Sequence, residues 1–295
     1  MRYGVMAMQL GMLIPTDLAP PDMMAHVASF SHAELVRSLY DVGFNLIELG
    51  GDLGMFLPQT YAPEQIEALA AVKREEGLAY TVHLPLWSVE PSTPLTPVRE
   101  GSTRAVIEII EATRPLDPEV YVHHATGALA AEFYRMGLPP LGKAMLLRQF
   151  QQGALESLRT ILEETGISSR KLAIETVEFP LDLTLEMAEA LDLSICLDVG
   201  HVLSGFSGST DLAAVVNACA PRLAEVHLHD AIIPADPEDP VYGLDHQPLG
   251  TGDLDLGAFL DSLAEVGFDG PVIFELKVPE ALASLEVVRG LEAGH

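Results

Sequence analysis

Eight short apolar runs alternate with helix-like stretches along the whole chain, and few architectures accept that alternation. The runs are Tyr3–Leu10, Phe44–Leu49, Ala79–Leu84, Glu119–His123, Lys171–Val177, Leu193–Asp198, Leu223–His229 and Pro271–Leu276. They are rich in Val, Ile and Leu and too short for buried helices, so they read as buried strands. The stretches between them carry helix-end signals. Ser31-His32-Ala33-Glu34 has the capping-box pattern and Gly43 stops that helix. Ala62–Glu76 opens with Pro63 and stops at Gly77, and Pro97–Thr113 places Val106, Ile109 and Ile110 on one face. Met145–Glu164, Leu183–Ala190, Asp211–Ala220, Leu256–Val266 and Pro279–Leu291 complete the set. Strand and helix in strict alternation, eight times, predict a (β/α)8 TIM barrel of class α/β. The 295 residues suit one such barrel, and no linker divides them, so one domain over 1–295 is expected.

Composition narrows the surroundings. No apolar run reaches the ~18 residues of a membrane span. The first ten residues lack the pattern of a cleaved export signal and read as a first strand. Cys196 and Cys219 are the only cysteines and lie in apolar segments, which excludes a disulfide framework and predicts a reducing cytoplasm. The formal net charge of −27 repels phosphate backbones and anionic lipid. A small-molecule partner is expected, with no nucleic acid and no membrane.

Three connections are longer than a barrel requires. Residues 11–30 carry Met12, Leu13, Met23 and Met24; residues 85–97 carry Trp87 and four prolines; residues 230–255 are acidic and proline-rich. Long loops on a compact barrel usually serve its active face, and their apolar content predicts an apolar-walled pocket.

The strand ends hold the chemistry. The third ends in His83 and the fourth in His123-His124; the fifth carries Glu175; the sixth gives Asp198 and His201; the seventh gives His227 and His229; the eighth carries Glu275. His246 follows in the loop after the seventh. A carboxylate or imidazole at the mouth of a buried strand is costly without a partner, and a divalent metal is the usual one. Residues two apart share a face. Glu175 pairs with Ala173, Asp198 with Cys196, and His227 with His229. By the same count His123, on the face of Tyr121 opposite Val120 and Val122, points inward rather than His124. Each residue alone is more often structural: Asp230 reads as a loop cap, Glu48 as a core ion-pair partner, and Lys277 as its partner or a substrate contact. The convergence of the whole set on one mouth favours metal binding.

Together these residues resemble the xylose isomerase-like barrel superfamily, which contains endonuclease IV and is also called AP endonuclease family 2. The marks are His-Leu-Pro at 83–85, Glu175, Asp-Val-Gly-His at 198–201, His-Leu-His-Asp at 227–230, His-Gln-Pro-Leu-Gly-Thr-Gly at 246–252, and Glu275. The resemblance implies one divalent ion on Glu175, Asp198, His227 and Glu275, as in the family's sugar isomerases and epimerases. The endonuclease IV pattern adds His83, His123, His201 and His246 as ligands of further zinc ions. The aspartate of that pattern two residues before the last histidine is missing, because position 244 is Leu; the neighbouring Asp245 is the residue available to replace it.

Two reactions fit. Clustered zinc, two or three ions, would serve hydrolysis of a small-molecule phosphodiester, and the superfamily includes a cobamide-remodelling phosphodiesterase that opens the nucleotide loop of a corrinoid. A single manganese-type ion would serve sugar isomerisation or epimerisation, with Glu175 and Glu275 as acid and base. The hydrolase is the leading expectation, and a non-catalytic metal or corrinoid binder ranks last. Catalysis is expected of Glu175, Glu275 and His201, and substrate contacts of His229, Trp87 and Lys277.

Overall fold

The computed structural model describes residues 1–6, 29–208, 211–233 and 243–293, with the isolated positions 22, 25 and 27. The expectations placed on residues 7–10, Met12, Leu13, Met23 and Met24 lie outside the described residues. A closed barrel forms from β1 (Arg2–Met6), β2 (Leu46–Gly50), β3 (Ala79–His83), β4 (Tyr121–His123), β5 (Leu172–Glu175), β6 (Ser194–Asp198) and β7 (Leu223–His227). A two-stranded antiparallel ribbon follows, β8 (Asp230–Ile232) with β9 (Leu244–Gln247), and then the last barrel strand, β10 (Pro271–Phe274). All barrel neighbours run parallel, and β10 closes the ring on β1. The fold is a (β/α)8 TIM barrel. The ribbon lies within residues 230–255, which the sequence presents only as an acidic, proline-rich loop.

Helices link the strands where the periodicity and end signals place them. The helix Pro63–Glu76 ends on Gly77, whose φ of 70° supplies the left-handed stop. The stretch before β5 differs from expectation. It holds a separate helix, Ala128–Arg135, and the long helix starts earlier, spanning Pro140–Thr165. Pro139 and Pro140 interrupt the helical pattern between them.

Alternation along the strands sorts side chains into two compartments. Ile47, Leu49, Tyr80, Val82, Ile174, Ile195, Leu197, Val226 and Phe274 pack in one large core with the helices. Inside the barrel, Met6, Leu46 and Ile273 form one small cluster, and Val120, Val122, Ala173 and Cys196 another. Next to these lies a fully buried polar group of Glu48, Thr81, Glu225 and His227. The site residues stand at the strand ends, on the C-terminal face where this barrel type builds its active sites.

The interior cluster corrects one expectation. Val120 and Val122 point into the barrel, whereas the Tyr121 hydroxyl donates to the Ile110 carbonyl of helix Thr96–Thr113 at 3.4 Å. His123 shares the outward face with Tyr121, so His124 continues the inward face and takes the place assigned to His123.

Candidate metal centre at the barrel mouth

Four side chains from successive strand ends converge on one point. Glu175 Oε1, Asp198 Oδ2 and Glu275 Oε1 lie 3.6, 3.9 and 3.4 Å from His227 Nδ1. Ligands around a tetrahedral zinc stand about 3.3 Å apart, given bonds of about 2.0–2.1 Å. Glu175 Oε1 and His227 Nδ1 are buried and have no hydrogen-bond partner. Three carboxylates facing an orphaned ring nitrogen fit a divalent cation, and without one the group is costly.

The other oxygen of Glu175 faces a second set. Oε2 lies 3.1 Å from His83 Nε2 and 3.0 Å from His124 Nε2. His83 Nδ1 donates to the Leu84 carbonyl at 2.9 Å, because a carbonyl only accepts. In the neutral ring that fixes the tautomer and leaves Nε2 a lone pair pointed at a carboxylate oxygen. Something positive must sit between them, a proton or a metal. With a proton, burial disfavours the charged ring, but Glu175 outweighs it and raises His83 to about 9. Burial likewise pushes the Glu175 carboxyl up, but the charges of His124 and His227 hold it well below the usual carboxylate range.

A third set forms against the ribbon. His201 Nδ1 lies 3.2 Å from the Thr176 carbonyl and must carry the hydrogen there, which leaves Nε2 facing Asp245 Oδ2 at 3.5 Å. His246 Nδ1 lies 3.0 Å from the same oxygen and its Nε2 lies 3.3 Å from Glu275 Oε2. Asp245 and His246 both reach the mouth although they are consecutive on a strand. His246 has a φ of 50°, which breaks the alternation and turns neighbours to one side. Asp245 thus brings a carboxylate to the mouth between His201 and His246. Leu244 itself is 60% exposed.

The Asp-Val-Gly-His motif acquires a physical account. Asp198 caps the turn Val199–Leu203, its Oδ1 accepting the His201 N–H at 2.6 Å. A Cβ on Gly200 would lie 2.0 Å from His229 Cε1, so no larger residue fits. His229 is fully buried and its ring stacks on His246 at 4.2 Å. Its Nδ1 accepts the His246 N–H at 2.8 Å, so Nε2 carries the hydrogen and donates to Asp198 Oδ2 at 3.0 Å. His229 therefore holds Asp198 in place, which corrects its expected role as a substrate contact. Asp230 is the loop cap expected of it, accepting the N–H groups of Gly250, Gly252 and Leu254 at 2.9 Å each.

The structure thus brings together Glu175, Asp198, His227, Glu275, His83, His201 and His246. It excludes His123, which is fully buried with both ring nitrogens unpartnered; burial pushes it down to about 3, so the ring stays neutral. Trp87 and Lys277 line the cavity above the cluster, which measures about 1090 Å³. Lys277 lies 3.7 Å from Glu280 and is not the partner of Glu48. Sequence reasoning misplaced His124 and missed Glu225. The pairing of Glu48 with His227, at 3.4 Å, also belongs to the tertiary structure. An inward Glu225 is two residues before His227 on the same strand, and that spacing was the available signal.

Barrel and mouth together define a class. The chain belongs to the xylose isomerase-like TIM barrel family, whose model matches residues 36–292. Among individual proteins it resembles an uncharacterized protein of Methanocaldococcus jannaschii, MJ1311, at 23% identity over 77% of this chain and 75% of that one. Its fold superposes on a D-tagatose 3-epimerase-like protein with a TM-score of 0.72, at 20% identity over 99% of this chain and 97% of that one. It also superposes on the 3-keto-D-glucoside 4-epimerase YcjR of E. coli with a TM-score of 0.68, at 18% identity over 98% and 99%. At such identities the likeness carries the fold. Among the described residues no helix is long and apolar enough to cross a membrane.

Proposed function

We propose that the protein is a metal-dependent phosphoester hydrolase for a small-molecule substrate, working through two or three divalent ions, with zinc preferred. One observation carries this reading: the two oxygens of Glu175 face two different sets of ligand atoms. A carboxylate so placed could hold one ion with each oxygen, whereas a single-ion centre would use only one of the two sets. Clustered zinc, when bound, brings the pKa of a coordinated water toward ~7 and neutralises phosphate charge.

The chain's own residues have separable tasks. Glu175, Asp198, His227 and Glu275 would hold the central ion, and His83 and His124, with Glu175, the second. His201, Asp245 and His246, beside Asp198, offer a third place. His201 carries a proton on Nδ1, held toward Thr176, which leaves its Nε2 turned to Asp245 at the mouth. Lys277 is the only Lys or Arg among the described residues lining the cavity, and it is the contact for a phosphate oxygen. One rim cation and a net charge of −27 suit a small phosphodiester rather than duplex DNA. The nucleotide loop of a cobamide is the substrate that the family resemblance suggests.

A second reading has its own support. Glu175 and Glu275 both face His227 Nδ1, as an acid and a base on either side of one ion would, and of the two solved structures named above one is a 3-keto-D-glucoside 4-epimerase and the other a D-tagatose 3-epimerase-like protein. Sugar epimerisation or isomerisation at one ion would then follow, with His83 and His124 contacting substrate. The two solved structures favour this second reading over the first; the two-sided placement of Glu175 favours the first.

Elemental analysis of wild type, His83→Ala and His124→Ala, with turnover on phosphodiester and sugar panels, tests the choice. The hydrolase reading expects two or three ions per chain, a loss of about one in each variant and collapse of diester turnover. One ion retained in both variants, with sugar turnover, replaces it by the epimerase reading.

A further inference from the structure

Trp87 is the chain's single tryptophan, and it is 48% exposed. It lines the same cavity as His83, His124 and Glu175. A large aromatic left open to water forgoes the burial that would stabilise the fold, so its exposure marks a binding surface more than a packing role.

The chain holds this ring out deliberately. Asp52, only 3% exposed, accepts the N–H groups of Leu86 at 2.9 Å and Trp87 at 3.3 Å. Gly51 donates its N–H to the His83 carbonyl at 2.7 Å, and a Cβ there would meet Pro85 Cδ at 2.7 Å. The segment between the metal ligand His83 and Trp87 is therefore locked to the end of β2. Phe56 meets the indole edge-on, with centroids 5.9 Å apart and planes at 75°, which braces the ring from one side. The Ser88 hydroxyl contacts Met55 Sδ at 2.7 Å and ties the next turn down. Such bracing reduces the ordering cost of binding on the open face.

The cavity also exceeds what the ligand cluster needs. At about 1090 Å³ it stands at the top of the range for drug-sized ligands, about 300–1,000 Å³. Leu86, Pro248, Leu276 and Pro279 add apolar wall.

We propose that Trp87 is a stacking platform for a planar aromatic group of the substrate, seated beside the metal cluster that receives its phosphodiester. The phosphodiester half rests on the hydrolase reading; the planar group rests on the ring and the cavity. The substrate class is then a small phosphodiester bearing a heteroaromatic base. Trp87 sets specificity and takes no part in bond breaking.

A single tryptophan makes the test direct, because all indole fluorescence comes from this ring. The probes are the methyl ester of adenosine 5′-monophosphate, dimethyl phosphate, and adenosine alone, each added to the metal-loaded full chain. The base-bearing diester and adenosine should change the emission saturably, and dimethyl phosphate should not. By calorimetry Trp87→Ala should weaken the base-bearing diester about ten- to a hundredfold, and Trp87→Phe should recover most of it. KM should carry the change and kcat should stay within about twofold. Hydrolysis of both diesters with equal efficiency in wild type and Trp87→Ala overturns the platform and leaves the hydrolase standing. Adenosine binding lost in Trp87→Ala, with no diester hydrolysed, sustains the platform and removes the hydrolase.

Discussion

His227 turns Nδ1 to the carboxylates of the mouth and Nε2 to Glu48, whose Oε2 lies 3.4 Å away, and neither residue exposes any surface. A carboxylate behind a ligand histidine keeps the proton on the far nitrogen and the lone pair on the near one. Beneath them the Thr81 hydroxyl donates to Glu225 at 3.0 Å and lies 3.5 Å from Glu48. Burial and the charge of Glu48 push the Glu225 carboxyl well up, so it stays protonated and spares the interior a second negative charge. Glu48→Gln keeps the shape and removes the charge. Metal affinity, read by chelator competition, should fall about 10- to 100-fold while the metal-free protein melts as before. Unchanged affinity would show that Glu48 only fills space.

Removing metal should loosen the whole mouth. Glu175, Asp198 and Glu275 then repel one another in a dry site, and only the charged histidines around them hold their carboxyls low. A chelator should lower the melting temperature by several degrees, and added zinc should restore it, by mass action worth about 4 kcal/mol at a thousandfold excess over Kd. One unfolding transition is expected, because β1 and β10 pair and join the start of the barrel to its end. Superimposable melting curves with demonstrably metal-free protein would end the claim.

The two adjacent histidines at the end of β4 should behave oppositely. His124 reaches Glu175; His123 buries two unpartnered nitrogens. His123→Leu should keep the full metal complement and lose no stability, since it exchanges unsatisfied polar atoms for apolar ones of similar volume. Metal lost from His123→Leu, at an unchanged melting temperature, would restore His123 as a ligand.

His32 gives the fold an acid sensitivity away from the mouth. It is fully buried, its ring nitrogens have no hydrogen-bond partner, and it packs edge-on to Tyr61 at 5.7 Å. Burial pushes it down to about 4. The unfolded ring, at about 6.5, takes its proton first as pH falls. The unfolded state therefore binds more protons between the two values, and stability drops as pH falls from 6.5 to 4. The full cost is roughly 3 kcal/mol. Denaturant midpoints at pH 7.5 and 4.5 should converge in His32→Phe relative to wild type. Equal pH dependence in both proteins would contradict the assignment.

The sequence by itself determined the barrel. Eight strand-like runs, the glycines at 43, 77 and 267 and the prolines at helix starts are local signals, and each acts within a few residues. It also determined most of the mouth, because Glu175, Asp198, His227 and Glu275 follow apolar runs at which a charge has no ordinary place. Tertiary structure decided the rest. The β4 parity was illegible because Val120 and Val122 are apolar like the helix-facing residues, and only closure shows that the lower barrel interior is apolar too. Asp245 entered through one left-handed residue, His246, which a period-2 pattern does not foresee. Glu48 and Glu225 found their partners across the barrel and His229 on the neighbouring strand, where sequence separation hides the contacts that give a buried charge its reason.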